Sequence, residues 1–175
     1  MKKGIILYQS KYGSTRKYAQ WLSDKTGFPK VETKKASPDD LSSCDMIVLG
    51  GGLYASGIAG VSFLKKNWQR LKGKKIAVFC VGASPADEKV LQQVAAHNLK
   101  DSLSGLPCFY CRGAWDEDAM TPKDRVLCKL LQKAVAKKDP ASYEPWETAL
   151  MEAMGQRCDW TDPSYLEPLL RYLAD

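Results

Sequence analysis

The sequence predicts a doubly wound α/β fold, with a five-stranded parallel sheet covered by helices on both faces. Three observations lead there. Short apolar runs at Gly4–Tyr8, Met46–Gly50 and Ile76–Val81 are nearly continuous rather than alternating, the pattern of central strands buried on both sides. Amphipathic helical patterns lie between them in regular succession, which favours strand–helix–strand units over a bundle or a sandwich of sheets. Each run also stops at a polar or glycine-rich loop, as strands do where a parallel sheet hands over to a helix.

The first strand, Gly4–Tyr8, is followed at once by a helix over Thr15–Thr26 with Ala19 and Leu22 facing inward. Pro29–Thr33 is a weaker run and reads as an edge strand. After Met46–Gly50 a helix spans Val61–Leu71. After Ile76–Val81 another spans Asp87–Leu99, with Val90, Leu91, Val94 and Ala95 on one side and His97 at the edge of that packed face. Pro85 precedes it, and Asp87 and Glu88 open it, as helix starts require. Cys108–Cys111 is the last strand. The tail then breaks the rhythm. Thr121 caps a strong helix over Pro122–Lys138, whose Val126, Leu127, Leu130, Leu131, Ala134 and Val135 form an apolar face. A second helix lies within Pro145–Met154, and Asp162-Pro163 opens a final one, made irregular near its start by Pro168. One helix after the last strand completes the sheet, so residues 114–161 read as a helical insertion within one domain of residues 1–175.

Composition narrows the classes. At 175 residues, 45% hydrophobic and 26% charged, the chain can bury a real core as one soluble domain. No apolar run reaches the roughly 20 residues that cross a bilayer. Met1-Lys2-Lys3 and the apolar run behind it resemble a leader until Tyr8-Gln9-Ser10-Lys11 cuts the run short. The six scattered cysteines fit free thiols in a reducing compartment, so a cytoplasmic protein is expected. A net charge of +6 invites a nucleic-acid reading, but Lys and Arg are spread in company with Asp and Glu. Lys72-Gly73-Lys74-Lys75 reads as a loop and Lys137-Lys138 as a helix end. A solvated basic surface, suited to an acidic partner or to peripheral contact with an anionic membrane, fits better than nucleic acid.

The chemistry concentrates at three strand ends, which an open parallel sheet brings to one edge. The first loop is Ser10-Lys11-Tyr12-Gly13-Ser14-Thr15. It aims hydroxyls, backbone N–H groups and the positive end of a helix at one point, a cradle for a phosphate. It lacks the glycines of a dinucleotide loop and the Gly-Lys-Ser/Thr ending of a triphosphate loop, so a monophosphate is expected. The second loop, Gly50 to Gly57, holds Gly52, Leu53, Tyr54 and Ala55, where glycine admits a flat ligand and Tyr54 can cover a ring. The third, Cys80 to Pro85, offers Val81, Gly82 and Ala83.

Together these loops resemble the flavodoxin family. Ser10, Gly13 and Thr15 match its phosphate loop, while Tyr12 stands where a small hydroxylic residue is usual. Gly51-Gly52-Leu53-Tyr54-Ala55-Ser56-Gly57 and Cys111-Arg112-Gly113 look most like the branch that contains menaquinone-dependent protoporphyrinogen oxidase. The resemblance implies FMN, its phosphate held by Ser10 to Thr15 and its ring set between the second and third loops. It implies an oxidoreductase acting on protoporphyrinogen or a quinone, or else an electron carrier between redox partner proteins with no substrate of its own. A third reading is a relative that has lost its flavin and serves as an interaction module, with Tyr12 as the only hint.

Other chemistries fit poorly. A receiver domain needs an acidic pair after the first strand, where Gln9-Ser10 stands, and no cysteine has the arginine six positions on that a tyrosine phosphatase needs. Cys108 and Cys111 lie three apart on a strand and so point to opposite faces, against metal or dithiol work. No base is evident for Ser10 or Ser14 as nucleophile. Trp115, Trp146, Trp160, Tyr143 and Tyr165 are expected to seal the insertion onto the sheet, and Asp116-Glu117-Asp118 to be a solvated loop. Lys11, Arg16 and Lys17 beside the phosphate are expected to raise the flavin potential.

Overall fold

The computed structural model describes residues 3–175; Met1 and Lys2, the start of the leader-like segment, lie outside the described residues. In chain order the elements are β1 (Gly4–Gln9), α1 (Ser14–Thr26), β2 (Lys30–Glu32), α2 (Pro38–Ser42), β3 (Met46–Tyr54), β4 (Gly57–Ile58), α3 (Val61–Leu71), β5 (Lys75–Gly82), α4 (Glu88–Asn98) and β6 (Cys108–Arg112). Beyond the sheet come β7 (Ala114–Asp116), α5 (Pro122–Val135), α6 (Pro145–Ala153), β8 (Arg157–Asp159) and α7 (Glu167–Ala174). The parallel strands run in the order β2-β1-β3-β5-β6, and the short β4 folds back antiparallel on β3. The chain moves outward from β1 to β2 and then resumes on the other side at β3. The order therefore reverses between β1 and β3, where open sheets of this kind bind ligands.

Continuous burial of β1, β3 and β5 follows from two cores. Ile5, Leu7, Ile47, Leu49, Ile76 and Val78 meet Leu41, Leu64, Leu71 and Val94 from α2, α3 and α4 on one face. Ile6, Tyr8, Met46, Val48, Ala77 and Phe79 meet Tyr18, Ala19, Leu22, Leu169 and Leu173 from α1 and α7 on the other. Cys108 belongs to the first core and Cys111 to the second, as opposite-facing strand positions must. Helix starts behave as their sequences require: Asp87 accepts the Val90 N–H at 3.0 Å, and Thr121 accepts the Asp124 N–H at 3.3 Å ahead of Pro122. Pro168 lies in the first turn of α7, after a 3-10 turn over Pro163–Leu166.

Several expectations need correction. The glycine-rich second loop is mostly strand: β3 continues through Gly50, Gly51 and Gly52 to Tyr54. Its glycines answer crowding, since a Cβ on Gly50 would come within 2.1 Å of the Phe79 ring and one on Gly51 within 2.1 Å of the Ala59 carbonyl oxygen. Only Ala55 and Ser56 turn, both at positive φ (47° and 66°), before β4 returns along the strand. The insertion is not purely helical. It begins and ends in the antiparallel pair β7–β8, with Trp115 opposite Cys158, so a two-stranded clasp closes its base. Val90 and His97 are exposed on α4. The largest departure is α5: Val126, Leu127, Leu130 and Leu131 are exposed, and what the helix buries is Gln132 and Val135.

Candidate functional site

The three strand ends and the insertion enclose a cleft of about 400 Å³. From the first loop Ser10, Tyr12, Ser14 and Thr15 line it; from β3 and its turn, Gly52, Leu53, Tyr54 and Ala55; from the end of β5, Val81, Gly82 and Ala83. Lys11 and Gly13, also expected here, do not line it. Gly13 supports the loop instead, at φ 103°, and donates its N–H to Ser10 Oγ at 3.1 Å. That left-handed turn starts α1 with no side-chain cap and no acidic residue in its first turn. The first N–H groups of α1 thus keep their positive end beside Ser14 and the buried Thr15.

The walls are fastened from behind. Asn98, buried at the end of α4, accepts the Ile58 N–H at 2.8 Å and donates to the Ser56 carbonyl at 2.7 Å, which holds the β3–β4 turn. Tyr110 donates its hydroxyl to the Ser84 carbonyl at 2.5 Å, and Arg112 Nε donates to Ala83 at 3.1 Å, so β6 pins the third loop. A Cβ on Gly52 would lie 2.7 Å from the Tyr54 hydroxyl, and one on Gly82 3.2 Å from Leu53 Cδ1. Both glycines make room for side chains that pack over them, Tyr54 on Gly52 and Tyr110 with Leu53 on Gly82.

Tyr12 has a different task from the one its position implies. Its hydroxyl donates to Asp124 at the start of α5 and accepts the Thr121 N–H at 3.2 Å, while Lys11 pairs with the same carboxylate. The side chains of Lys11 and Tyr12 therefore tie the first loop to the insertion. Hydrogen bonds from Lys11 and then Tyr12 hold the Asp124 carboxyl below its ordinary value, and the bond to Asp124 raises Lys11. Lys17 bonds Asp159 at 3.0 Å, and Arg16 lies 3.8 Å from Glu32. Each of the three cations near the first loop faces a carboxylate, so the net positive field expected there is offset.

Sequence reasoning missed the other half of the cleft. Gly113, Ala114, Trp115, Met120, Asp124, Leu127, Cys128 and Leu131 complete it, nearly all from the insertion. Of the insertion's aromatics only Trp115 lines it; Trp160 stacks under the Arg112 guanidinium at 4.2 Å, and Tyr165, just beyond the insertion, packs on the core. Glu117 is no solvated loop residue. Its carboxylate accepts from Gln132 at 2.7 Å, Trp115 at 3.3 Å and the Gly155 N–H at 3.4 Å, joining the two ends of the insertion. Burial pushes its pKa up, but these bonds outweigh it and hold the group below its usual value. Tyr18 of α1 joins the two segments that flank the insertion, donating to the Arg112 carbonyl at 2.5 Å and accepting the Asp162 N–H at 3.1 Å. No cluster of metal-ligating side chains occurs among the described residues.

The cleft thus lies at the sheet's reversal point, with an uncapped helix start at one end. A family model described as the Flavodoxin domain matches residues 5–142. The chain belongs to the flavodoxin domain family. Among solved structures, it is similar to a flavodoxin, WrbA-like protein from Agrobacterium tumefaciens at 17% identity and TM-score 0.48, over 71% of this chain and 88% of that one. It is similar to the two-electron reduced flavodoxin of Megasphaera elsdenii at 21% identity and TM-score 0.46, over 61% and 82%. A flavoprotein in complex with FMN from Lactobacillus acidophilus matches at 19% identity and TM-score 0.43, over 64% and 93%. No curated protein sequence matches the chain. In this flavodoxin-family chain the match ends at residue 142, inside the insertion and before the return strand β8.

Proposed function

We propose that the chain is a flavoprotein that holds FMN non-covalently in the cleft and acts as an oxidoreductase on an apolar partner, a quinone or a protoporphyrinogen-like ring. One observation supports this most: the three strand-end loops and an uncapped helix start meet in a single cleft that the insertion closes with apolar side chains. Ser10, Ser14 and Thr15 hold the phosphate by hydroxyls, with the N–H groups of residues 11, 12, 14 and 15, the Gly13 N–H being taken by Ser10; Tyr12 and Lys11 contribute backbone there, since their side chains are committed to Asp124. Gly52, Leu53, Tyr54 and Ala55 line one side of the ring, and Val81, Gly82 and Ala83 the other. When bound, FMN supplies the redox chemistry, and the protein supplies orientation and exclusion of water.

Trp115, Met120, Leu127 and Leu131 add an apolar wall beyond what the three loops provide. That wall favours a substrate entering beside the flavin over bare carriage between proteins. The test loads the purified protein with FMN, reduces it, and follows reoxidation by a soluble quinone series and, in the opposite direction, loss of protoporphyrinogen. Saturable turnover that falls when Met120 or Leu131 is replaced by a charged residue is expected. Reoxidation by redox proteins alone, with no response to small molecules, would replace the enzyme with a carrier.

A further inference from the structure

The exposed stripe of α5 is amphipathic in an unusual direction. Its buried side carries Gln132 and Val135, while Val126, Leu127, Leu130 and Leu131, at helical spacing, are 44–57% exposed. Six of the eight large hydrophobic side chains exposed among the described residues belong either to this stripe or to the cleft rim at Tyr12 and Tyr54. Leu127 and Leu131 belong to both stripe and cleft.

Charge is concentrated on the same element. Residues 122–138 hold six Lys and Arg against one Asp, out of 26 and 20 in the chain, which leaves 20 basic and 19 acidic residues elsewhere. Almost the whole net charge thus sits on one helix and its end. Lys123, Lys129, Lys133 and Lys137 are exposed and make no ion pair among the described residues. A helix with an outward apolar stripe flanked by lysines lies in the headgroup region of an anionic bilayer, where leucines enter the acyl boundary and lysines meet lipid phosphates.

We infer that α5 docks the protein on an anionic membrane surface, stripe inward, so that the mouth of the cleft opens toward the bilayer. An acidic protein partner would answer the lysines, but four adjacent exposed aliphatic side chains joined to an apolar cleft fit a lipid phase better. No helix among the described residues is long and apolar enough to cross a membrane. The contact needs no flavin.

Flotation of the whole protein with vesicles decides it, comparing phosphatidylcholine alone with vesicles containing about a third phosphatidylglycerol. Binding to the anionic vesicles is expected, at least ~10-fold stronger than to neutral ones, and weakened by salt. Val126→Ser with Leu130→Ser, and separately Lys129→Glu with Lys133→Glu, should each lower it about 10-fold or more. Neither pair lines the cleft or is buried, so the far-UV circular dichroism and the urea midpoint should stay at the parent values, which reports correct folding. Equal binding to both vesicle types, or none, overturns the inference. So does a stable dimer in sedimentation that Val126→Ser with Leu130→Ser splits, which would assign the stripe to a second copy.

Discussion

In α1, Tyr18, Ala19 and Leu22 repeat at helical spacing and are fully buried against the sheet. In α5, Val126, Leu127, Leu130 and Leu131 repeat at the same spacing and face solvent. The two helices look alike by periodicity and differ in what stands opposite. α1 follows a central strand and its connections are short, so the sheet must receive its apolar side. α5 is carried on the β7–β8 clasp, away from the sheet, and its inward side is chosen by polar anchors: Gln132 bonded to Glu117, Arg125 Nε bonded to the Glu117 carbonyl at 2.9 Å, and Asp124 bonded to Lys11 and Tyr12. Amphipathicity announces that a face wants covering and is silent on what covers it.

The sharpest way to break that contrast is a pair of truncations. Leu22→Ala should cost about 2–5 kcal/mol, lost transfer plus an unfilled cavity, while Leu130→Ala should stay within about 0.5 kcal/mol. Urea unfolding of both variants measures it; similar losses would mean that α5 buries its stripe in solution. A smaller effect is expected at the cleft wall. If Tyr54 covers the flavin, Tyr54→Ala should weaken FMN by about 0.5–1.5 kcal/mol and restore part of the quenched flavin fluorescence. Unchanged affinity and emission would leave it an ordinary exposed tyrosine.

The smallest effect concerns the tie between body and insertion. Asp124 has a depressed pKa, so its contribution is present above the ordinary carboxyl value and lost as pH falls through the lower folded one. Lys11 has a raised pKa, so its share is present below the ordinary lysine value and lost as pH rises through the higher folded one. Protection of α5 amides from exchange, corrected for intrinsic rates, should therefore be flat from about pH 5 to 9 and fall on either side. Asp124→Asn should show the lower protection throughout, and a parent profile identical to that of Asp124→Asn would remove the tie.

The sheet was legible because buried parallel strands must be continuous apolar runs, and Gly4–Tyr8, Met46–Gly50 and Ile76–Val81 each fall within a longer strand. The first loop was legible because its hydroxyls, glycine and helix start lie within six residues. The far side of the cleft was not, since Trp115, Met120, Asp124 and Leu131 reach it only through the clasp at residues 157–159, some forty residues downstream of Trp115. Gly50 and Gly51 misled for a related reason: the Phe79 ring and the Ala59 carbonyl that crowd them come from other segments. Asn98, which fixes the β3–β4 turn, carried no local signal, because its partners Ser56 and Ile58 lie about forty residues away.

The proposed seat of the FMN phosphate is the first loop, and a comparison of two ligands tests it. Titration of the protein with FMN and with riboflavin, which lacks the phosphate, is repeated on Thr15→Val combined with Ser10→Ala. Each lost hydroxyl leaves a charged acceptor short of a bond worth roughly 1.5–3 kcal/mol, so FMN should weaken by a few kcal/mol and riboflavin far less. Equal losses for both ligands would place the phosphate elsewhere and contradict the account.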